Sequence, residues 1–232
     1  MLLDQRAGGG RVSVATRNDR FSRLLQAILA EWHFLSEEDA ASLDILLLER
    51  GLPVPPGMEQ VIWLTPLPLG EEPHLEVPLS LTELYHLLER RFFPQPRHHI
   101  RLPLDLPVDL NVRGVWLVGR LLSISDRGAR VSSPALLPKG ERLNMDFKLD
   151  NYPLRLTAEV LYDIPAGDVA GRETPQAGLL FRPLRPALRL ALRQFIERRF
   201  VETAASKVGI AMNDPCLSWL TLTQNPWRTL EP

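Results

Sequence analysis

Residues 97–128 read RHHIRLPLDLPVDLNVRGVWLVGRLLSISDRG. Leu104 to Val112 and Trp116 to Ile124 alternate apolar and polar residues, the period of a strand with one buried face. Arg113-Gly114 between them is a turn signal, so the two strands read as a hairpin. Further strand candidates follow at Ala129 to Ser132, Arg142 to Leu149, Leu154 to Tyr162 and Ala177 to Phe181. Turn signals part them at Asp126-Arg127-Gly128, Pro138-Lys139-Gly140 and Asp150-Asn151. Short strands with regular turns predict an all-β antiparallel barrel. Pro186 opens a closing helix to about Phe200, with Leu188, Leu192, Phe195 and Ile196 facing inward.

Upstream the pattern differs. Val12 to Thr16, Leu43 to Leu48, Val61 to Leu64 and Leu75 to Val77 are strand candidates. Asp19 can cap a helix running to about Glu31, with Phe21, Leu24, Leu25, Ile28 and Leu29 on one face. Ser80 starts a second helix to about Phe92, with Glu83 completing a capping box. Leu43 to Leu48 is an apolar run with only Asp44 inside it, as in a strand buried on both faces. Strands separated by helices predict a parallel sheet. Pro94-Gln95-Pro96 breaks the second helix and makes a stiff hinge. The expected organisation is a leader over 1–10, an α/β domain over 11–93, a hinge over 94–96, the barrel with its closing helix over 97–200 and a tail over 201–232. Asp214-Pro215 in the tail is a helix-start signature. Leu217, Trp219, Leu220, Leu222 and Trp227 are too apolar for a solvated terminus. They are expected to pack on the barrel, on the other domain or on a second subunit.

The chain has 232 residues, 45% apolar and 24% charged, the balance of a folded globular protein. No apolar run reaches the roughly 18 residues that span a bilayer. The start MLLDQRAGGG carries an early acid and no long apolar core, so no secretory signal is expected. A single cysteine, Cys216, excludes an internal disulfide and a cysteine-built metal site. These features predict a cytoplasmic protein. Net charge is −1, but residues 1–96 hold eight basic and fourteen acidic residues, whereas 97–232 hold nineteen and fourteen. An anion-binding site is therefore expected in the second half. Arginine dominates there, and its planar fork suits phosphate and base edges.

Arg97-His98-His99-Ile100-Arg101 and, twenty-two residues beyond Arg101, Ser123-Ile124-Ser125-Asp126-Arg127-Gly128 together resemble the PilZ domain. The signature of that family is Arg-x-x-x-Arg followed by Asp/Asn-x-Ser-x-x-Gly, and the resemblance covers about residues 97–200. It implies a bacterial receptor for cyclic di-GMP, with no cofactor, that relays occupancy to a protein partner by a change in domain arrangement. The implied ligand residues are Arg97, Arg101, Ser123, Ser125 and Gly128, with His98 a further candidate. Guanidinium groups can fork onto phosphate oxygens and stack on guanine. Ser125 offers a hydroxyl, and Gly128 permits a positive φ or close backbone approach. Ser123 departs from the family's Asp or Asn, which leaves a shorter group for the guanine edge. The 97–101 segment, with no apolar anchor before Ile100, is expected to be loosely held without ligand. Two alternatives stand beside this reading: an interaction module that has lost cyclic di-GMP, and a basic module for nucleic acid or an acidic partner. Nucleic acid is the less favoured partner, because Arg185, Arg189 and Arg193 read as the solvated face of the closing helix, without an aromatic platform. A homodimer is left open.

The first half resembles a trimmed response-regulator receiver, a reduced flavodoxin-like fold. Asp44 to Glu49 looks like its third strand, Ile62 to Thr65 like its fourth, and Val77-Pro78 like its Lys-Pro segment. The family's chemistry is missing. Thr16 and Arg17 stand at the acidic pair, Glu49 at the phosphoacceptor and Val77 at the lysine, with Thr65 retained. The resemblance implies a pseudo-receiver without metal or phosphoryl chemistry. No histidine set has metal spacing, no serine sits in a Gly-x-Ser-x-Gly elbow, and an enzyme is not expected.

Overall fold

The computed structural model describes residues 10–34, 44–167 and 173–230. The expected leader, apart from Gly10, lies outside the described residues. The chain divides into two compact units. The first comprises residues 1–98 and 197–224, the second residues 99–196 and 225–232. The stretch expected as helix end and tail is thus shared between the units.

The first unit is built on four parallel strands, β1 (Val12–Ala15), β2 (Ile45–Glu49), β3 (Val61–Thr65) and β4 (His74–Glu76), in that spatial order. The apolar run of β2 forms a strand because both its faces are covered; Ile45, Leu46, Leu47 and Leu48 are all buried. Helix α1 (Asp19–Glu31) buries Phe21, Leu24, Leu25, Ile28 and Leu29. Its cap is Asn18, whose side chain accepts from the Phe21 N–H at 3.1 Å. Asp19, expected as the cap, is instead the first helical residue, where a carboxylate suits the helix dipole. Helix α2 (Leu81–Phe92) is capped by Ser80, which accepts from the Glu83 N–H at 3.3 Å.

Helix α3 (Pro186–Lys207) runs past the expected end at Phe200. Val201, Ala204 and Ala205 belong to the core of the first unit, together with Cys216, Leu217 and Leu220. Buried Glu197 accepts both the backbone N–H and the hydroxyl of Thr82. Asp214 caps a short 3-10 helix over Pro215–Trp219 by accepting from the Cys216 N–H at 2.9 Å. Burial, and after it the neighbouring Asp214 carboxylate, push the Cys216 thiol up to about 11, so the cysteine stays protonated and is no nucleophile.

The second unit is a closed barrel of six strands in the order β10-β7-β6-β5-β8-β9. They are β5 (Leu102–Val112), β6 (Val115–Ile124), β7 (Gly128–Ser132), β8 (Arg142–Leu149), β9 (Tyr152–Ile164) and β10 (Gln176–Phe181), and every pairing is antiparallel. Strand β8 shows why: Leu143, Met145, Phe147 and Leu149 point inward at every second residue. Two-residue turns join β5 to β6 and β8 to β9. Both have positive φ at each residue, 53° and 85° at Arg113 and Gly114, 49° and 66° at Asp150 and Asn151, which matches strand twist. Asp and Asn tolerate that region, and the Arg113 side chain pairs with Glu141. Trp227 belongs to this unit, stacked on Tyr152 at 4.8 Å and tilted against Phe195 at 5.4 Å. Among the described residues no helix is long and apolar enough to cross a membrane.

Candidate ligand-binding site

The ladder between β5 and β6 pairs Leu102 with Ile124 and Pro103 with Ser123. Arg101 immediately precedes Leu102, and Ser125 immediately follows Ile124, so the second arginine of the segment stands at the end of the ladder that opens into the Ser125–Gly128 turn. Arg101 is exposed, and among the described residues its guanidinium makes no ion pair. Ser123 follows a register shift between Leu121 and Ser123 against β7, and then pairs with Arg130. A bulge of this kind re-aims the side chains that come after it.

The turn is built by Ser125. Its buried hydroxyl accepts from the Arg127 N–H at 3.2 Å and the Gly128 N–H at 3.1 Å, while its own N–H donates to the Gly128 carbonyl at 2.8 Å. The hydroxyl expected to face a ligand is therefore engaged in holding the turn. Gly128 is required by close approach, not by a positive φ. A Cβ there would lie 2.1 Å from the carbonyl oxygen of Leu179 on β10.

Asp126, passed over as a variable position of the motif, meets three side chains. Its side chain is 4% exposed. One carboxylate oxygen accepts from His99 Nδ1 at 2.7 Å; the other takes Arg189 Nε and Arg193 Nη2, each at 3.1 Å. Burial pushes this carboxyl up, but His99 and then Arg193 and Arg189 outweigh it and hold it well below the usual carboxylate range. One correction follows. Arg189 and Arg193 are not a solvated stripe; they turn toward the motif. Of the two adjacent histidines, His99 reaches the turn.

The other expected residues are placed in the first unit. The Arg97 N–H donates to Glu89 at 2.7 Å, and the His98 carbonyl accepts from His86 Nε2 at 2.7 Å. His99, on Asp126, gives the part of this segment that belongs to the barrel unit a polar anchor that the count of apolar anchors in the sequence did not include.

Thr16, Arg17, Glu49, Thr65 and Val77 gather at the C-terminal ends of the parallel strands, where open α/β sheets place their sites. The Glu49 carboxylate accepts from the Arg17 N–H at 2.7 Å and from Arg17 Nη1 at 2.8 Å. The Thr16 hydroxyl donates to the Asn18 carbonyl at 2.9 Å, the Thr65 hydroxyl to the Leu67 carbonyl at 3.0 Å, and the Val77 N–H to the Thr65 carbonyl at 2.9 Å. The carboxylate of this set is tied to a guanidinium. Among the described residues no group of three or more His, Cys, Asp or Glu is placed to hold a metal ion.

No curated protein sequence matches the chain. Solved structures similar to it include the Bacillus subtilis inhibitor of motility MotI/DgrA, at 19% identity and a TM-score of 0.41 over 47% of this chain and 53% of that one. The PilZ domain of YcgR from Escherichia coli with c-di-GMP aligns at 17% identity and a TM-score of 0.39, over 50% of this chain and all of that one. The K. pneumonia MrkH–c-di-GMP complex aligns at 15% identity and 0.35, over 50% and 54%. This chain thus covers about half the length of MotI/DgrA and of MrkH. The PilZ domain family model matches residues 95–198. That span holds all six strands of the closed barrel, the Ser125–Gly128 turn and the start of α3, and it identifies this part of the chain as a PilZ domain.

Proposed function

We propose that the barrel unit is a cytoplasmic receptor for cyclic di-GMP, a binding protein and not an enzyme, that passes occupancy to a protein partner through a change in domain arrangement. The observation that carries this reading is the exposed Arg101, without an ion pair among the described residues, at the end of the β5–β6 ladder, next in register to the Ser125–Gly128 turn. In this reading Arg97 and Arg101 fork onto the phosphates, Ser123 meets a guanine edge, and Ser125 and Gly128 shape the turn the ligand lies on. Calorimetric titration with cyclic di-GMP, with cyclic di-AMP and GTP as controls, is the test. Heat is expected with cyclic di-GMP alone. Arg101→Ala removes a charge-assisted contact of about 1.5–3 kcal/mol, which is about ten- to a hundredfold in affinity. Wild type silent toward every cyclic dinucleotide would make the chain a pure interaction module. Affinity for a polyanion that collapses as salt rises would instead favour the nucleic-acid reading.

The first unit, in the same reading, is a receiver-like platform for protein contact over residues 11–93, without phosphoryl chemistry. Phosphotransfer to a receiver needs an aspartate nucleophile and Mg²⁺ held by clustered carboxylates. Here Glu49 is bound to Arg17, with Thr16 and Val77 beside it in the set. Incubation with a small phosphodonor and Mg²⁺ is expected to leave the mass of the protein unchanged. A stable Mg²⁺-dependent acyl phosphate would sink this assignment.

A further inference from the structure

A buried carboxylate is costly unless it is paired, and Asp126 is paired three times from two directions. His99 reaches it from the segment ahead of β5, Arg189 and Arg193 from α3. The Asp126 backbone cannot follow a moving partner, because the Ser125 hydroxyl locks the turn on either side of it. His99 is two residues from Arg101, so a fixed His99 restricts where Arg101 can reach. From the other side, the same carboxylate holds the part of α3 that precedes residue 197, and the helix continues from there into the first unit.

We propose that Asp126 is the positioning residue of the ligand site: through His99 it sets the segment that presents Arg101, and through Arg189 and Arg193 it ties that segment to α3, the element that carries occupancy onward. The inference rests on the cyclic di-GMP reading for its ligand, but its mechanical half does not. It also predicts a sign that plain electrostatics reverses. The groups facing Asp126 are His99, Arg189 and Arg193, and Arg127 follows it directly in sequence. If Asp126 were only a negative charge near an anionic ligand, removing it would tighten binding. A positioning residue, removed, weakens binding, because Arg101 then samples arrangements that do not reach the ligand.

Two measurements on the full chain decide the matter. The first uses no ligand. Hydrogen exchange of Asp126→Asn should rise in residues 97–101 and 186–193 and stay unchanged in β8 and β9; unaltered exchange in both segments overturns the proposal whatever the protein binds. The second is calorimetry with cyclic di-GMP. Asp126→Asn should bind about tenfold more weakly, and Asp126→Asn combined with Arg101→Ala should be little worse than Arg101→Ala alone, since one acts through the other. Tighter binding by Asp126→Asn, or additive losses in the double variant, overturns positioning. Wild type with no heat, alongside the expected exchange pattern, overturns the cyclic di-GMP reading and leaves the mechanical link standing.

Discussion

Deleting residues 213–232 is expected to unfold the first unit, although it removes only the end of the chain. Cys216, Leu217 and Leu220 are at most 9% exposed and lie in one core with Phe21, Leu24 and Leu79. The ring of Trp219 sits 5.0 Å from that of Phe21. The backbone is joined as well: the Leu79 N–H donates to the Trp219 carbonyl at 2.7 Å, and the Thr221 N–H to the Leu79 carbonyl at 3.0 Å. Truncating one large buried apolar side chain costs about 2–5 kcal/mol, and a whole domain holds only about 5–15 kcal/mol. Loss of several such residues at once exceeds what the unit can absorb. Trp227→Ala separates the other half of the effect, since its ring packs on Tyr152 and Phe195 of the barrel unit; about 3 kcal/mol is expected from the barrel. Thermal melting and hydrogen exchange check both. A truncated chain that melts cooperatively within a few degrees of wild type would show that this core does not depend on its last strand of contacts.

Gly128→Ala is expected to destabilise the barrel by about 3 kcal/mol or more, the upper range for overpacking, because the new methyl group meets backbone and not a yielding side chain. The Leu179 carbonyl oxygen would be 2.1 Å from it. Gly128 pairs with Leu180 and Ala129 with Leu179, and in a closed barrel neither strand can back away without opening a ladder on its far side. Gly114→Ala is the contrast. Nothing lies within 4 Å of a Cβ at Gly114, but its φ is +85°, so the cost there is conformational, on the order of 1 kcal/mol. Urea unfolding of the two variants should rank them far apart. Equal stability of Gly128→Ala and wild type would mean that the turn can shift, and the assigned reason for this glycine would be wrong.

The amino-acid sequence by itself determined the local elements. Strand alternation in Leu104 to Val112, the turns at Arg113-Gly114 and Asp150-Asn151, and the cap at Ser80 depend on side chains within a few residues of one another, so they are written where they act. The motif spacing that places Arg101 and Ser123 at the ends of one ladder was legible for the same reason: a hairpin converts sequence distance into register. Only the tertiary structure decided what crosses long stretches of chain. Arg189 and Arg193 repeat at a helical spacing that reads as a solvated face, and nothing local says that a carboxylate 63 and 67 residues earlier meets them. Alternation along an extended segment says that His98 and His99 point apart, but which one finds Asp126 depends on where the turn sits. Gly128 could have been needed for a left-handed φ or for close approach, and only β10 settles that it is the latter. The same holds for residues 197–224, whose apolar side chains announced burial but not against what. Their partners, from Phe21 to Leu79, come from the opposite end of the chain, because burial selects whatever apolar surface the fold leaves open, at any separation in sequence.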